Sequence, residues 1–185
     1  PVSADVDRFV TQAAQALGGI DSLVNCAGVF PQALIEDITD EDWSRVMRIN
    51  LDGAFYACRA AAPYLKKSGK NGRIINLSSQ AALNGTAHGV HYGASKAALL
   101  GLTYCLAKAL GPDGITVNAI LPGRIDTEML AYATPERRAQ WLQSTPLGRF
   151  GDTADIAELA VFLASDKGGY ITGAKINVNG GLSTG

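Results

Sequence analysis

Tyr92 and Lys96 stand four residues apart in His91-Tyr92-Gly93-Ala94-Ser95-Lys96, and Ser79 lies thirteen residues before the tyrosine, closing the run Asn76-Leu77-Ser78-Ser79. On a helix, residues i and i+4 share a face, so this spacing brings an ammonium near a phenol while a hydroxyl approaches from another element. A phenol ordinarily titrates near ~10, and a close cation favours its ionised form, drawing it toward neutral pH. The three side chains are therefore suited to passing a proton to or from the oxygen of a carbonyl or carbinol. Taken singly each is ordinary. A tyrosine and a lysine at this spacing usually mark a helix rim, and a serine after an apolar run usually ends a strand.

The elements that must position them alternate along the chain. Val6, Phe9, Val10, Ala13, Ala14 and Leu17 recur at helical spacing, giving an amphipathic helix over 5–17 that Gly18-Gly19 stops. A strand begins at Leu23-Val24. Thr39, followed by Asp40-Glu41-Asp42, caps a helix running to about Leu65, and 66–72 is a polar turn. A strand is expected over 73–77 and a loop over 80–90, after which the Tyr92 helix runs to about Leu110, where Gly111-Pro112-Asp113-Gly114 breaks it. A strand over 115–118, a loop at Pro122-Gly123, short helices over 127–132 and after Pro135, a helix over 153–165 and a strand over 175–178 complete the order. Strands separated by helices of this length imply a parallel sheet with right-handed crossovers, and their β-branched runs suit burial on both faces. The fold class is α/β, a doubly wound parallel sheet, in one domain spanning 1–185 without internal repeats or linkers.

Further short stretches accompany the triad: Val24-Asn25-Cys26-Ala27-Gly28, Ile49-Asn50-Leu51-Asp52-Gly53, Pro122-Gly123-Arg124-Ile125-Asp126-Thr127 and, near the end, Asn179-Gly180-Gly181. With Ser79, Tyr92 and Lys96 in this order, nearly the whole chain resembles the short-chain dehydrogenase/reductase family of NAD(P)-dependent oxidoreductases. The resemblance implies a Rossmann-like fold and hydride transfer between a nicotinamide and an alcohol or ketone, or a 3-oxoacyl group. It implies that Ser79 binds the substrate oxygen, Tyr92 exchanges the proton, Lys96 lowers the tyrosine pKa and holds the nicotinamide ribose, and Asn50 completes a water-borne relay. Asn25, Ala27, Gly28, Pro122, Gly123, Ile125 and Thr127 are then expected to line the cofactor, with Pro122 to Thr127 gripping the nicotinamide carboxamide. Cys26 stands where the family usually has a second asparagine. Substrate choice is expected to reside in 80–90 and 131–147. Family members commonly pair the Tyr92 helix and the long helix before it, so a dimer or tetramer is implied, and Gly93, Ala94, Ala97, Ala98 and Gly101 would allow close helix approach.

The family also opens with a strand, a glycine-rich turn and a helix that hold the cofactor pyrophosphate, and these 185 residues contain no such segment. By that resemblance about two βα units, on the order of 60 residues, are expected to lie outside this sequence. The 185 residues are then a portion of a longer enzyme, with half the dinucleotide crevice missing and little activity alone. NAD and NADP both stay open, because the strand end that selects between them is among those units. A non-catalytic scaffold and a cofactor-retaining isomerase or dehydratase are the competing readings.

Composition bounds the partners. Sixteen basic against seventeen acidic residues give a net charge of −1, which offers no footprint for nucleic acid and no polybasic patch for an anionic membrane. No apolar run approaches the ~18 residues that span a bilayer. Cys26, Cys58 and Cys105 are odd in number and scattered, arguing for a reducing compartment such as the cytoplasm and against a zinc site. His88 and His91 read as loop histidines without acidic or thiol partners, so no metal is assigned.

Overall fold

In a computed structural model that describes residues 1–69 and 72–184, four parallel strands form one sheet in the order β1-β2-β3-β4. They are β1 (Ser22–Asn25), β2 (Arg73–Leu77), β3 (Thr116–Pro122) and β4 (Lys175–Val178). Each pair is joined in register, Val24 opposite Ile75, Ile75 opposite Asn118 and Ile120 opposite Ile176. All four strands therefore end on the same side, and the loops that follow them gather along one edge of the sheet. β3 runs four residues past its expected end. Val117, Ala119, Ile120 and Leu121 are fully buried, and the ladder to β4 begins only at Ala119, so the pairing holds the strand as far as Pro122.

Helices cover both faces. One carries α1 (Ser3–Leu17), α3 (Gly53–Lys67) and α5 (Val90–Leu110), whose Val10, Cys58, Ala61, Leu65 and Leu110 pack with Ile74, Ile115 and Val117. The other carries α7 (Thr153–Ala164), which sets Leu163 against Ile75, Leu77 and Ile120. This is the doubly wound arrangement expected from the alternation of elements. Gly18 closes α1 with φ 75°, a left-handed conformation that glycine adopts without strain. Thr39 accepts from the Asp42 N–H and starts α2 (Asp40–Met47), with three acids in its first turn facing the positive end of the helix dipole. Asp152 and Asp155 form a capping box at the start of α7.

Three expectations change. The helix read as continuous from Thr39 is interrupted over Arg48–Asp52 by a π turn, centred on Asn50, before α3 begins. The 80–90 loop contains a short helix, α4 (Ala81–Asn84), which Ser79 initiates by accepting the Ala81 N–H at 3.1 Å. His91 is not a loop residue: it lies in the first turn of α5, is fully buried, and finds no hydrogen-bond partner for either ring nitrogen among the described residues. The polar turn read over 66–72 falls partly outside the described residues, and α3 itself continues to Lys67. β1 is a sheet edge with Val24 47 % exposed. No helix among the described residues is long and apolar enough to cross a membrane.

One polar chain runs through the core. Asn25 Nδ2 donates to Asn76 Oδ1 at 2.8 Å, and Asn76 Nδ2 donates to Thr103 Oγ1 at 2.9 Å, lacing β1, β2 and α5 together. Asn76 is fully buried, so removing its amide strands both neighbours away from water. Asn76→Ala is expected to lower unfolding stability by about 2–3 kcal/mol. Urea denaturation followed by circular dichroism reads the loss; an unchanged midpoint would show the chain to be dispensable.

Candidate active site

The sequence spacing of Tyr92 and Lys96 becomes spatial proximity because both lie on the first two turns of α5, with Lys96 Nζ 5.9 Å from the centre of the Tyr92 ring. Lys96 is only 5 % exposed. Its ammonium donates to Leu77 O, the last carbonyl of β2, at 2.7 Å. The Ser78 hydroxyl returns the tie by donating to Lys96 O at 2.8 Å. Two residues past the end of β2, Ser79 lines the same cleft as the Tyr92 phenol, and its hydroxyl is near enough to draw the phenol pKa down. Strand end and helix start are thus stitched into one unit that presents hydroxyl, phenol and ammonium together.

Asn50 joins them from the π turn. Its Oδ1 accepts from Val29 N at 2.8 Å, while Nδ2 donates to Val29 O at 3.0 Å and to Ser95 Oγ at 3.0 Å. Ser95 in turn donates to Tyr92 O at 2.8 Å. Such turns recur where a helix must aim one residue at a site. Gly28 lies directly beside this cluster: a Cβ there would stand 3.3 Å from both Asn50 Oδ1 and Lys96 Nζ. Hydrogen at that position keeps the approach to the ammonium open.

The remaining candidates divide. Asn25 turns its side chain into the inter-strand chain and toward Cys58 Sγ at 3.3 Å, so its amide is engaged within the sheet. Ala27 follows β1 directly before Gly28. Pro122 ends β3 and accepts from Gln80 N at 3.0 Å, tying the loop after Ser79 to the loop after β3. A Cβ on Gly123 would come within 2.6 Å of Asn179 Cα, so this glycine is demanded by the close passage of the carboxyl-terminal segment. Ile125 bridges Gly151, and Thr127 Oγ1 donates to Ile125 O at 3.4 Å on the exposed rim.

Burial decides the electrostatics. Desolvation pushes the Tyr92 phenol above its usual 10, opposed by the Ser79 hydroxyl. Acidification by Lys96, expected from the spacing, is therefore not found: burial raises the phenol and only Ser79 acts against it. Desolvation also lowers Lys96 to about 8, with Cys26 opposing.

Several residues of the site were not singled out by type or spacing, although Tyr132, Arg137 and Trp141 fall in the 131–147 stretch expected to set substrate choice. Phe30 packs against the Tyr92 ring at 4.5 Å between centres, and a cleft of about 270 Å³ opens in front of Ser79 and Tyr92, walled by Phe30, Tyr132, Trp141, Arg124 and Arg137. Ser95 was within reach of inspection, as a hydroxyl beside Lys96 on a helix with a buried face; the aromatic wall assembles only in three dimensions.

A parallel, doubly wound sheet with a Ser-Tyr-Lys cluster at its carboxyl edge defines a nucleotide-dependent oxidoreductase architecture. A family model described as enoyl-(acyl carrier protein) reductase matches residues 2–183. The 3-oxoacyl-[acyl-carrier-protein] reductase FabG of Thermotoga maritima is 40 % identical over 177 residues, covering 96 % of this chain and 72 % of that protein. The L-rhamnose 1-dehydrogenase (NAD(P)(+)) of Azotobacter vinelandii is 42 % identical over 185 residues, covering 97 % of this chain and 72 % of its own length. Among solved structures, a short-chain dehydrogenase/reductase from Brucella melitensis superposes with a TM-score of 0.94 at 36 % identity, over 100 % of this chain and 74 % of that one. A blue fluorescent protein from a metagenomic library, solved in complex with NADPH, gives 0.92 at 40 % identity, over 99 % and 73 %. The chain belongs to the short-chain dehydrogenase/reductase family.

The lowered lysine has a measurable consequence. Unfolded, Lys96 titrates near 10.5; folded, near 8, so between those values the unfolded state binds more protons and stability rises with pH. Below pH 8 the full penalty of the buried charge is present. The wild type is expected to gain up to about 3 kcal/mol on Lys96→Met as pH climbs from 8 toward 10.5. Denaturant titrations of both proteins across that range measure it, and a constant difference would show that the ammonium is not desolvated.

Proposed function

We propose that this chain is an NAD(P)-dependent oxidoreductase that interconverts an alcohol and a ketone, or a 3-oxoacyl group, with Tyr92 as acid/base. The observation that carries this reading is that Ser79 and Tyr92 line one cleft side by side, backed by the buried ammonium of Lys96. The residues present fit a nicotinamide dinucleotide: the side-chain-free face of Gly28 gives access to Lys96, whose single main-chain acceptor leaves further N–H groups to donate. Lys96 would hold the nicotinamide ribose, and Ala27, Gly28, Pro122, Gly123, Ile125 and Thr127 would flank the dinucleotide, Asn25 contributing through its main chain. The bound nicotinamide supplies or takes the hydride at the substrate carbon.

The protein manages the oxygen. Ser79 donates to it, and Tyr92, kept protonated by burial, is ready to deliver its proton as the carbonyl becomes an alcohol. Asn50 fixes the Val29 main chain and Ser95, and with a water on its own backbone it would refill the phenol through Lys96. In the oxidation direction the same groups run in reverse. The unpaired cysteines suit a reducing compartment, the cytoplasm.

Tyr92→Phe in the full-length protein is expected to cut kcat by about 10²–10⁴-fold while leaving nicotinamide nucleotide affinity near wild type. Absorbance of the reduced nicotinamide over a panel of ketones reads turnover, and its fluorescence reads binding. A wild type without a saturable signal for NADH or NADPH would leave a non-catalytic scaffold as the correct reading.

The chain is also proposed to assemble with further copies through α5 and α3. Ala97, Gly101, Tyr104 and Cys105 form an exposed stripe on α5, and a Cβ on Gly101 would meet nothing within 4 Å, so packing inside one subunit does not explain the glycine. Gly101→Gln is expected to leave the fold intact and reduce a dimer or tetramer to a smaller species in sedimentation velocity. A wild type that sediments only as monomer removes the interface.

A further inference from the structure

Two guanidinium groups border the cleft in front of Ser79 and Tyr92, and among the described residues neither has a carboxylate within 4 Å. Arg124 directly follows Pro122-Gly123. Its Nη1 donates to Trp141 O and Ser144 Oγ at 2.8 Å and to Thr145 Oγ1 at 3.3 Å, so one edge of the fork is anchored and Nε and Nη2 remain uncommitted. Arg137, on α6 (Pro135–Gln143), makes no side-chain hydrogen bond among the described residues. Both guanidinium carbons lie 5.3 Å from the Trp141 ring centre, and that of Arg137 lies 5.9 Å from the Tyr132 ring. Aromatic faces position a cation without neutralising it. Two of the acids in this region are engaged elsewhere, Asp126 with Arg138 at 2.7 Å and Asp155 with Arg149 at 2.8 Å, and Glu128 and Glu136 do not line the cleft. Among the described residues no aspartate or glutamate lines the cleft; its other polar walls include the neutral amides of Gln32, Gln80 and Asn84, the Thr86 hydroxyl and His88. Partial burial lowers the Arg124 pKa, a sign that its charge lacks full solvation.

We infer that the substrate carries an anionic oxyacid group, carboxylate or phosphate, gripped by Arg124 and Arg137 while Ser79 and Tyr92 address its carbonyl oxygen. The inference rests on the cleft being the reaction site proposed above. A guanidinium fork matches the paired oxygens of either group, and a partly desolvated pair of cations gains more from such a ligand than from water. The names of the relatives, one a sugar dehydrogenase and one an acyl-thioester reductase, leave the question open within the family. A cleft of about 270 Å³ suits a compact molecule.

Matched pairs test it on the full-length protein: acetoacetate against methyl acetoacetate, and dihydroxyacetone phosphate against dihydroxyacetone. The charged member of at least one pair is expected to show a kcat/KM about tenfold or more above its neutral partner, and the preferred pair tells carboxylate from phosphate. Arg137→Gln should erase about tenfold of that advantage, chiefly through KM, with the neutral member within about twofold. Arg124→Gln also releases the Trp141, Ser144 and Thr145 anchors, so it is expected to slow both members but the charged one more. Equal rates for both members of each pair, or an Arg137→Gln variant that slows charged and neutral substrates alike, would overturn the inference. Binding is read separately from turnover: in Trp43→Phe, Trp141 is the sole tryptophan of these 185 residues, and its emission, taken as the difference from Trp43→Phe/Trp141→Phe, should respond saturably to the preferred anion but not after Arg137→Gln. Turnover without anion preference defeats this inference alone, whereas a saturable Trp141 response without turnover of any carbonyl compound defeats the oxidoreductase reading and leaves the anion site standing.

Discussion

The hydrogen bond from Lys96 Nζ to Leu77 O, 2.7 Å long and sealed from water, is the constraint around which the site is built. A lysine brought this far out of solvent is costly, and one carbonyl compensates only part of that cost. The protein accepts it because the ammonium ties the end of β2 to the start of α5, fixing the distance between the strand that carries Ser79 and the helix that carries Tyr92. Ser78, reaching back to Lys96 O, removes the remaining freedom to slide. The proposed proton transfer needs this rigidity, since a small displacement of phenol or hydroxyl would misalign both on a substrate oxygen.

The same constraint explains the neighbouring small and polar residues. Lys96 can stay reachable only if the segment after β1 passes it without side-chain bulk, and Gly28 meets that condition. The segment must in turn be held, and Asn50 holds it by bonding both main-chain groups of Val29 in the manner of a strand partner. A regular α-helix at Arg48–Asp52 would aim residue 50 differently; the extra residue of the π turn rephases it. Three elements distant in sequence are thereby locked to one another by side-chain bonds buried enough to resist competition from water.

What was legible in the sequence follows from how local the signal is. β2 and β4 stood out as β-branched runs between polar or glycine-rich joints, and Tyr92, Lys96 and Ser79 because their spacing is carried by one helix and one strand end. β3 was cut short because Asn118 reads as a break, although its side chain is satisfied by Ile171 O and Ala174 N from the β4 side. The π turn was invisible because it is selected by the distant Val29 and Ser95. His91 was misplaced because its burial depends on what α5 packs against, which helical spacing alone does not reveal. The direction of the Tyr92 shift was misjudged for a related reason: proximity to a cation can be inferred from spacing, whereas desolvation requires the finished core.

A division of labour follows. Ser79, Tyr92, Lys96 and Asn50 sit on buried strand ends and helix turns, held by bonds that tolerate little change. Arg124, Tyr132, Arg137 and Trp141 lie instead on the exposed stretch between β3 and α7, which touches the core through few apolar contacts and can vary without disturbing the sheet. The proposed proton handling is therefore coupled to folding itself, while the proposed recognition of the rest of the substrate falls to a segment whose sequence is nearly free of that duty. Fold and relatives consequently identify the reaction class more firmly than the molecule that undergoes it, and the identity of that molecule has to be argued from the charges and rings this particular stretch places around the cleft.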